Sequence, residues 1–202
     1  MRYFLLTFLI LLLLGCVPGS DNPLTDPDKE KIDLSLLGTW YWKDENESGY
    51  IHIGLDEKTK LLRIIMSEFN KDGNLKSSEL YGHTSSLQGN NYLNLRWVRQ
   101  EQAENAGYLF IKYTVGPDSL GIALMNNGMV KEAIKAGSLK GKINEGRWSS
   151  SAYITEDQSK LRKFVLRNDK ELFPEMKYLP RLKLPNQQGK MHKKIGGEQQ
   201  NR

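Results

Sequence analysis

The sequence has few of the residue types that most often build reactive centres. Its 202 residues include a single cysteine, Cys16, and three histidines, His52, His83 and His192. One cysteine excludes an intramolecular disulfide, so packing alone has to stabilise the fold. The histidines are isolated from one another and from Cys16, without the short spacing typical of zinc ligands. We therefore expect neither a metal site nor a cofactor.

Sequence signatures of catalysis are missing as well. No Gly-x-Ser-x-Gly motif surrounds Ser149, Ser150 and Ser151, and no glycine-rich phosphate-binding loop precedes a predicted helix. The carboxylates cluster in predicted turns, where solvation explains them without an acid–base role. The sequence predicts a protein that is not an enzyme.

A long apolar run occurs only at the N-terminus. Arg2 precedes the apolar stretch Tyr3–Leu14, and Gly15 and Cys16 follow it. The run is shorter than the ~20 apolar residues that a membrane-spanning helix needs. It has the charged start, apolar centre and small residue of a signal peptide.

The four residues Leu13–Cys16 resemble a bacterial lipobox, although Leu14 stands where Ala, Ser or Thr is more usual. The resemblance implies cleavage before Cys16, a diacylglyceryl group on its thiol and often an acyl chain, such as palmitate, on the new amino group. Two or three acyl chains hold a protein on a bilayer almost permanently. In bacterial lipoproteins, an Asp directly after the lipidated cysteine usually causes retention in the inner membrane. This sequence has Val17 at that position. We therefore expect a protein anchored in the cell envelope, at the outer membrane.

The composition divides the chain into four parts. We expect a lipoprotein signal peptide over residues 1–15 and a lipidated cysteine with a flexible tether over residues 16–36, because prolines and polar residues dominate there. Residues 37–184 form the predicted β-rich globular domain. Residues 185–202 form a basic tail with little to bury, which we expect to be disordered.

Short apolar–polar alternations indicate strands in the globular part. They occur at Tyr50–Leu55, Tyr92–Trp97, Tyr108–Val115 and Leu120–Leu124, separated by clusters of Gly, Asn and Asp that are typical of hairpin turns. The more continuously apolar segment Leu61–Phe69 indicates a longer or more central strand. Strands at this spacing favour an antiparallel meander that forms a barrel or a sandwich.

Two short helices are expected after these strands, which makes the chain mainly β with a minor α+β character. Asn127 begins the first helix and Gly137 ends it. Thr155 and Gln158 form a capping box for a second helix that runs to about Asn168. A last edge strand is predicted over residues 178–184.

Gly38-Thr39-Trp40 resembles the Gly-x-Trp signature of the lipocalin and calycin superfamily. The resemblance implies a lipocalin-like barrel in which the tryptophan closes one end, often under an arginine from the C-terminal part. Arg147 and Arg181 are the candidates for that partner. The alternative is a core tryptophan in an unrelated β-domain.

An eight-stranded barrel either fills its interior with side chains or holds one small ligand. Trp42, Trp97, Phe110 and Tyr113 are the candidate ligand-binding residues, and the alternative is that they form ordinary core. Cys16 is the candidate lipidation site.

Charge is unevenly distributed along the chain. Residues 16–130 carry 11 Lys/Arg against 16 Asp/Glu, and residues 131–202 carry 17 against 8. The basic part is either a solvated surface or a face for anionic headgroups and glycans. Nucleic acid is not an expected partner outside a membrane.

Three functional hypotheses follow from the sequence. The first is a membrane-anchored, non-catalytic lipoprotein that binds a partner protein or an envelope component in the periplasm or at the surface. The second is a lipocalin-like carrier of a lipid or small hydrophobic ligand. The third is a hydrolase acting on envelope polymers, which requires His52 or His83 beside a carboxylate and a serine.

Overall fold

The structure is a computed structural model of the chain. It describes residues 17–43, 47–70, 72–97, 107–146 and 150–183. The predicted signal peptide, the predicted lipidation site Cys16 and the predicted tail over residues 185–202 lie outside the described residues. Within the described part, none of the helices is both long and apolar enough to cross a membrane.

Strands dominate the described residues. They are β1 (Gly19–Ser20), β2 (Gly38–Lys43), β3 (Ser48–Leu55), β4 (Leu62–Phe69), β5 (Leu75–Leu87), β6 (Asn90–Trp97), β7 (Leu109–Val115), β8 (Ser119–Leu124), β9 (Gly141–Glu145), β10 (Ser150–Ile154) and β11 (Lys177–Pro180). The helices among the described residues are α1 (Asn127–Lys135), α2 (Gln158–Arg167) and α3 (Asp169–Leu172).

Eight of these strands form one antiparallel sheet in the order β11-β8-β7-β6-β5-β4-β3-β2. From β2 to β8 each strand pairs with the next one in the chain, which is the predicted meander. Short turns make this possible: Gln88 and Gly89 both have positive φ (50° and 81°) and join β5 to β6, as a tight hairpin requires.

The sheet curves until its two outermost strands meet. Trp40 on β2 forms an antiparallel bridge with Arg181, directly after β11. The amide of Leu182 donates to the carbonyl of Thr39 at 2.8 Å. The prediction of a mainly β, lipocalin-like meander is therefore confirmed, and the sheet is a nearly closed barrel rather than a sandwich.

We call the two ends of this barrel the Trp40 end and the far end. The Trp40 end contains the start of β2 and the turns that follow β3, β5 and β7. The far end contains the end of β2, the start of β3, the end of β4, the start of β5, the end of β6, the start of β7 and the end of β8.

Strand alternation separates two apolar clusters, one on each face of the sheet. Along β7, Ile111 and Tyr113 face the barrel interior, whereas Phe110 faces outward. The interior cluster is completed by the buried residues Leu36, Trp40, Trp42, Ile51, Ile53, Leu62, Ile64, Leu80, Leu93, Leu95, Leu120, Ile122 and Leu179.

The second cluster lies between the outer face of the sheet and a separate layer. That layer contains the three-stranded sheet β1-β10-β9 and the helices. It is built around the buried residues Leu24, Leu87, Tyr92, Phe110, Ala123, Met125, Val130, Leu139, Ala152, Ile154, Leu161, Val165, Leu172 and Phe173.

The helix predictions need two corrections. α1 begins at Asn127 as predicted, and Gly137 follows its end with a φ of +70°. The N-cap of α2 is Asp157, whose carboxylate accepts from the Lys160 amide at 3.0 Å, so Thr155 does not cap this helix. α3 is an additional short helix, because Asn168 interrupts the helical backbone after α2.

The flexible tether predicted up to residue 36 is wrong for residues 17–36. Val17, Leu24 and Leu36 are buried, and β1 pairs with β10 in the outer layer. Prolines and polar residues turn the chain, while these apolar side chains fix it to the domain. The globular domain therefore begins about 20 residues earlier than the sequence predicted.

Candidate functional site

The Trp40 end of the barrel is closed by a tryptophan and an arginine. Trp40 is fully buried, and the guanidinium carbon of Arg181 lies 4.0 Å from the centre of its ring. This is the geometry of a cation–π contact. Of the two arginines that the sequence offered, Arg181 is the partner, and Arg147 lies outside the described residues.

The same guanidinium fixes the turn that precedes β2. Its Nη1 donates to the Leu37 carbonyl at 2.8 Å and its Nη2 to the Ser35 carbonyl at 3.0 Å. The indole nitrogen of Trp40 donates to the Leu36 carbonyl at 3.1 Å. One arginine thus joins the segment that follows β11, the first barrel strand and the 3₁₀ turn Leu34–Leu36.

Gly38 is required by this arrangement. Its φ is +140°, which L residues with a side chain rarely adopt, and an added Cβ would lie 2.6 Å from Nη1 of Arg181. The glycine of the Gly-x-Trp motif therefore has a direct steric role, because the absence of a side chain leaves room for the guanidinium of Arg181.

A second contact holds the 3₁₀ turn from inside the barrel. The hydroxyl of Tyr113 donates to Asp33 Oδ2 at 3.0 Å, and Asp33 Oδ1 accepts from the Ser35 amide at 3.0 Å. Burial, and next the negative charge of Asp33, raise the pKa of Tyr113 above its usual range. Tyr113 therefore stays a neutral hydrogen-bond donor at every physiological pH.

Three of the four residues predicted to bind a ligand belong to the interior cluster or pack against it, but Tyr113 lies toward the Trp40 end and the two tryptophans lie toward the far end. Trp42 and Tyr113 are buried in the interior cluster, and the half-buried Trp97 packs against it. Phe110 belongs to the outer cluster, on the opposite face of β7. A shared pocket of all four is therefore excluded by strand alternation, because residues 110 and 113 point to opposite faces.

Several apolar side chains that pack against the interior cluster are only partly buried, and they occur at both ends, with Leu37 and Val115 at the Trp40 end and a larger group at the far end. Four apolar residues that pack against the interior cluster there are only partly buried: Met66, Trp97, Leu109 and Leu124. Trp42 lies beside them with its ring over Gly49, where an added Cβ would come within 2.3 Å of two ring carbons. The small residue leaves room for the indole on the neighbouring strand.

One carboxylate faces this region. Glu68 follows Leu62, Ile64 and Met66 on the inward face of β4 and is only 8% exposed. Among the described residues, its side chain forms neither an ion pair nor a hydrogen bond within the usual distances. Sequence reasoning missed Glu68, although its place in the inward alternation of β4 was readable.

Polar side chains outside the barrel fix the N-terminal segment. Asn94 Oδ1 accepts from the Leu24 amide at 2.7 Å, and Nε2 of His83 lies 2.7 Å from the Thr25 carbonyl. The hydroxyl oxygens of Thr25 and Ser85 are 2.6 Å apart. Burial lowers the pKa of His83, so the neutral imidazole donates to the carbonyl.

A second polar group joins the barrel to the helical layer. Asp169, at the start of α3, accepts from the Tyr92 hydroxyl at 2.6 Å and forms an ion pair with Lys112. Burial, and next the hydrogen bond to Asp169, raise the pKa of Tyr92. These groups satisfy one another, which is typical of a structural contact.

The third hypothesis required a histidine beside a carboxylate and a serine. His52 is exposed, as predicted, and hydrogen-bonds Thr39 at 2.9 Å, while His83 bonds a backbone carbonyl. Ser150 Oγ accepts from the ammonium of Lys131 at 2.8 Å. The described residues contain no group of three or more His, Cys, Asp or Glu side chains arranged to hold a metal.

Comparisons with known proteins do not indicate a function, so the functional proposal is based on the geometry of the described residues. No family model, no curated protein and no solved structure matches this chain.

Proposed function

We propose that this protein is an envelope lipoprotein whose barrel binds a small hydrophobic ligand at its far end and catalyses no reaction. The observation that carries this proposal is the group of partly exposed, inward-facing apolar side chains at the far end, which lies beside the little-exposed carboxylate of Glu68. Trp40, Arg181 and the 3₁₀ turn close one end. At the other end, inward-facing apolar side chains remain partly exposed around Trp42 and Glu68.

The chemistry of the far end indicates the kind of ligand. Trp42, Trp97 and Met66 offer apolar and aromatic surface, and Glu68 offers a hydrogen-bond acceptor without a partner among the described residues. Ligand sites are commonly apolar with a few polar groups that fix orientation. A lipid or another amphiphile with a hydrogen-bond-donating group fits this combination.

The anchor would determine where the ligand is bound. Acyl chains on Cys16 would confine the barrel to the outer membrane and raise its effective concentration near membrane-bound ligands. Replacement of Cys16 by serine should release the protein from the membrane fraction. Full retention of function by this released variant would contradict the role of the anchor.

Native mass spectrometry tests the carrier function directly. The domain from Val17 onward, exported without acyl chains and purified from its own cell's periplasm, should carry a reproducible extra mass that is lost on denaturation. Trp97→Leu should reduce the occupied fraction, because Trp97 contributes inward surface at the far end. Phe110→Leu is the matched control, because it removes a similar aromatic group from the outer cluster.

A bare protein mass in the wild type, together with no binding of lipids added back to it, would contradict the carrier proposal. Equal loss of ligand in both aromatic variants would assign the loss to stability rather than to the site.

A second candidate is recruitment of a protein partner. It is favoured by β9, which is an outermost strand of the small sheet and, among the described residues, pairs with β10 on one side only. Unpaired strand edges are frequent sites of β-strand addition. Cross-linking from an exposed β9 position such as Lys142 to a defined envelope protein would favour this function over ligand carriage.

A further inference from the structure

Three exposed apolar side chains lie together at the far end of the barrel, and we call them the far-end patch. Tyr50 on β3 is 41% exposed, Phe69 on β4 37% and Leu75 on β5 57%. Phe69 and Leu75 are directly opposite each other in the strand register. Cross-strand neighbours of this kind form one continuous surface.

The N-terminal segment joins the domain near the same end. The amide of Ser20 donates to the Tyr108 carbonyl at 2.9 Å, and the Tyr108 amide donates to the Ser20 carbonyl at 2.7 Å. Tyr108 directly precedes β7, whose first residue lies at the far end. Three residues of extended chain reach at most about 11 Å, so Val17 is close to this bond pair.

The attachment between the predicted anchor and the domain is short. Val17 is only 7% exposed, and Cys16 is its neighbour in the chain. A domain attached in this way has to lie close to the bilayer. A tether of about 20 flexible residues would instead span roughly 25 Å.

We propose that the far-end patch rests on the bilayer that holds the acyl chains of Cys16, with the Trp40 end directed away from the membrane. The occupant of the patch is the lipid surface itself. The acyl chains supply the affinity, and the three side chains orient the barrel. This inference depends on the lipid anchor of the proposed function and extends it: the end at which we propose the ligand site faces the membrane from which an amphiphile would enter.

Other apolar side chains are exposed around the opposite end, which makes the proposal testable. Leu34, in the 3₁₀ turn, is 59% exposed, and Leu55, at the end of β3, is 40% exposed. Each matches a residue of the far-end patch in exposure: Leu34 matches Leu75, and Leu55 matches Tyr50. The two pairs differ mainly in the end at which they lie.

Single labels at these matched positions decide the orientation. Acylation consumes the thiol of Cys16, so one introduced cysteine becomes the single reactive thiol of the full-length protein. Leu75→Cys, Tyr50→Cys, Leu34→Cys and Leu55→Cys are each labelled with an environment-sensitive fluorophore. The acylated proteins are then reconstituted into phosphatidylethanolamine and phosphatidylglycerol vesicles that contain a spin-labelled lipid.

We expect the spin-labelled lipid to quench labels at residues 75 and 50 at least about twofold more strongly than labels at residues 34 and 55. The reason is that groups at the interface lie within ~10 Å of the acyl boundary. Equal quenching at the two ends, or stronger quenching at residue 34, would overturn the proposed orientation. Intact mass and flotation of the same samples report the anchor separately. A protein without acyl chains would contradict the proposed anchor itself, whatever the labels show.

Discussion

Arg181 and Trp40 are 141 positions apart in the chain, yet the guanidinium carbon lies 4.0 Å from the centre of the indole ring. Arg181 also donates two hydrogen bonds to the backbone of the turn before β2. The contact therefore joins the last strand to the first strand of the barrel and closes one end of it.

Removal of this arginine should destabilise the protein strongly. We expect Arg181→Gln to lower the free energy of unfolding by about 2–4 kcal/mol, because it removes a cation–π contact and two charge-assisted hydrogen bonds. Urea denaturation followed by tryptophan fluorescence measures the change. The control is Lys183→Gln, which breaks an ion pair with Asp118 between side chains that are 69% and 64% exposed. It should cost less than about 0.5 kcal/mol, and equal costs for the two variants would contradict the role of Arg181.

Gly38 should tolerate alanine less well than another glycine with positive φ. Gly38→Ala combines an unfavourable backbone with a clash against Arg181, whereas Gly89 has a φ of +81° and a Cβ added there would meet no atom within 4 Å. We expect Gly89→Ala to cost about 1 kcal/mol and Gly38→Ala about 2 kcal/mol or more. The comparison uses the same urea assay. Similar costs would show that Arg181 moves aside without penalty.

His83 should make stability depend on pH in the mildly acidic range. Burial lowers its pKa in the folded protein below the usual 6.5, so the unfolded chain binds more protons there. Its contribution is fully present above pH 6.5, and it is lost as the pH falls below that value toward the folded pKa.

Urea denaturation at a series of pH values from neutral to mildly acidic tests this dependence. We expect His83→Gln to lower stability at neutral pH and to flatten the decline on acidification. His52→Gln is the control, because His52 is exposed. An unchanged pH profile in His83→Gln would assign the acid sensitivity to other groups.

Within the contact between the barrel and the helices, replacement of Asp169 should lower the free energy of unfolding the most. Asp169→Asn leaves the ammonium of Lys112 without its counter-charge in a site where the two side chains are 18% and 12% exposed. Breaking a buried pair in this way costs about 3 kcal/mol. Glu132→Gln, in an exposed pair with Lys135, is the control with almost no expected effect. The double variant Asp169→Asn with Lys112→Met should recover part of the loss, and its failure to do so would contradict an electrostatic cause.

The sequence determined the local structure well where a periodic pattern was strong. Alternation placed Leu109, Ile111 and Tyr113 on one face of β7 and Phe110 on the other, because successive side chains of a strand point in opposite directions. Turn residues such as Gly89 and Gly137 were recognisable for a similar reason, since positive φ strongly favours glycine.

Local signals failed where distant contacts decide the outcome. Residues 17–36 have the composition of a tether, yet Leu24 packs in the outer cluster and Asn94 fixes its amide. His83 also has no local signal, because its burial depends on what the rest of the chain places over it.

The sequence by itself determined a β-meander, its hairpin turns and the residues of the Gly-x-Trp motif, because each depends on backbone geometry within a few residues. The tertiary structure decided which arginine covers Trp40, which aromatic residues share the barrel interior and where the chain after Cys16 joins the domain. Those outcomes depend on the curvature that brings β11 to β2. That curvature is a property of the whole packed sheet, and no short segment encodes it.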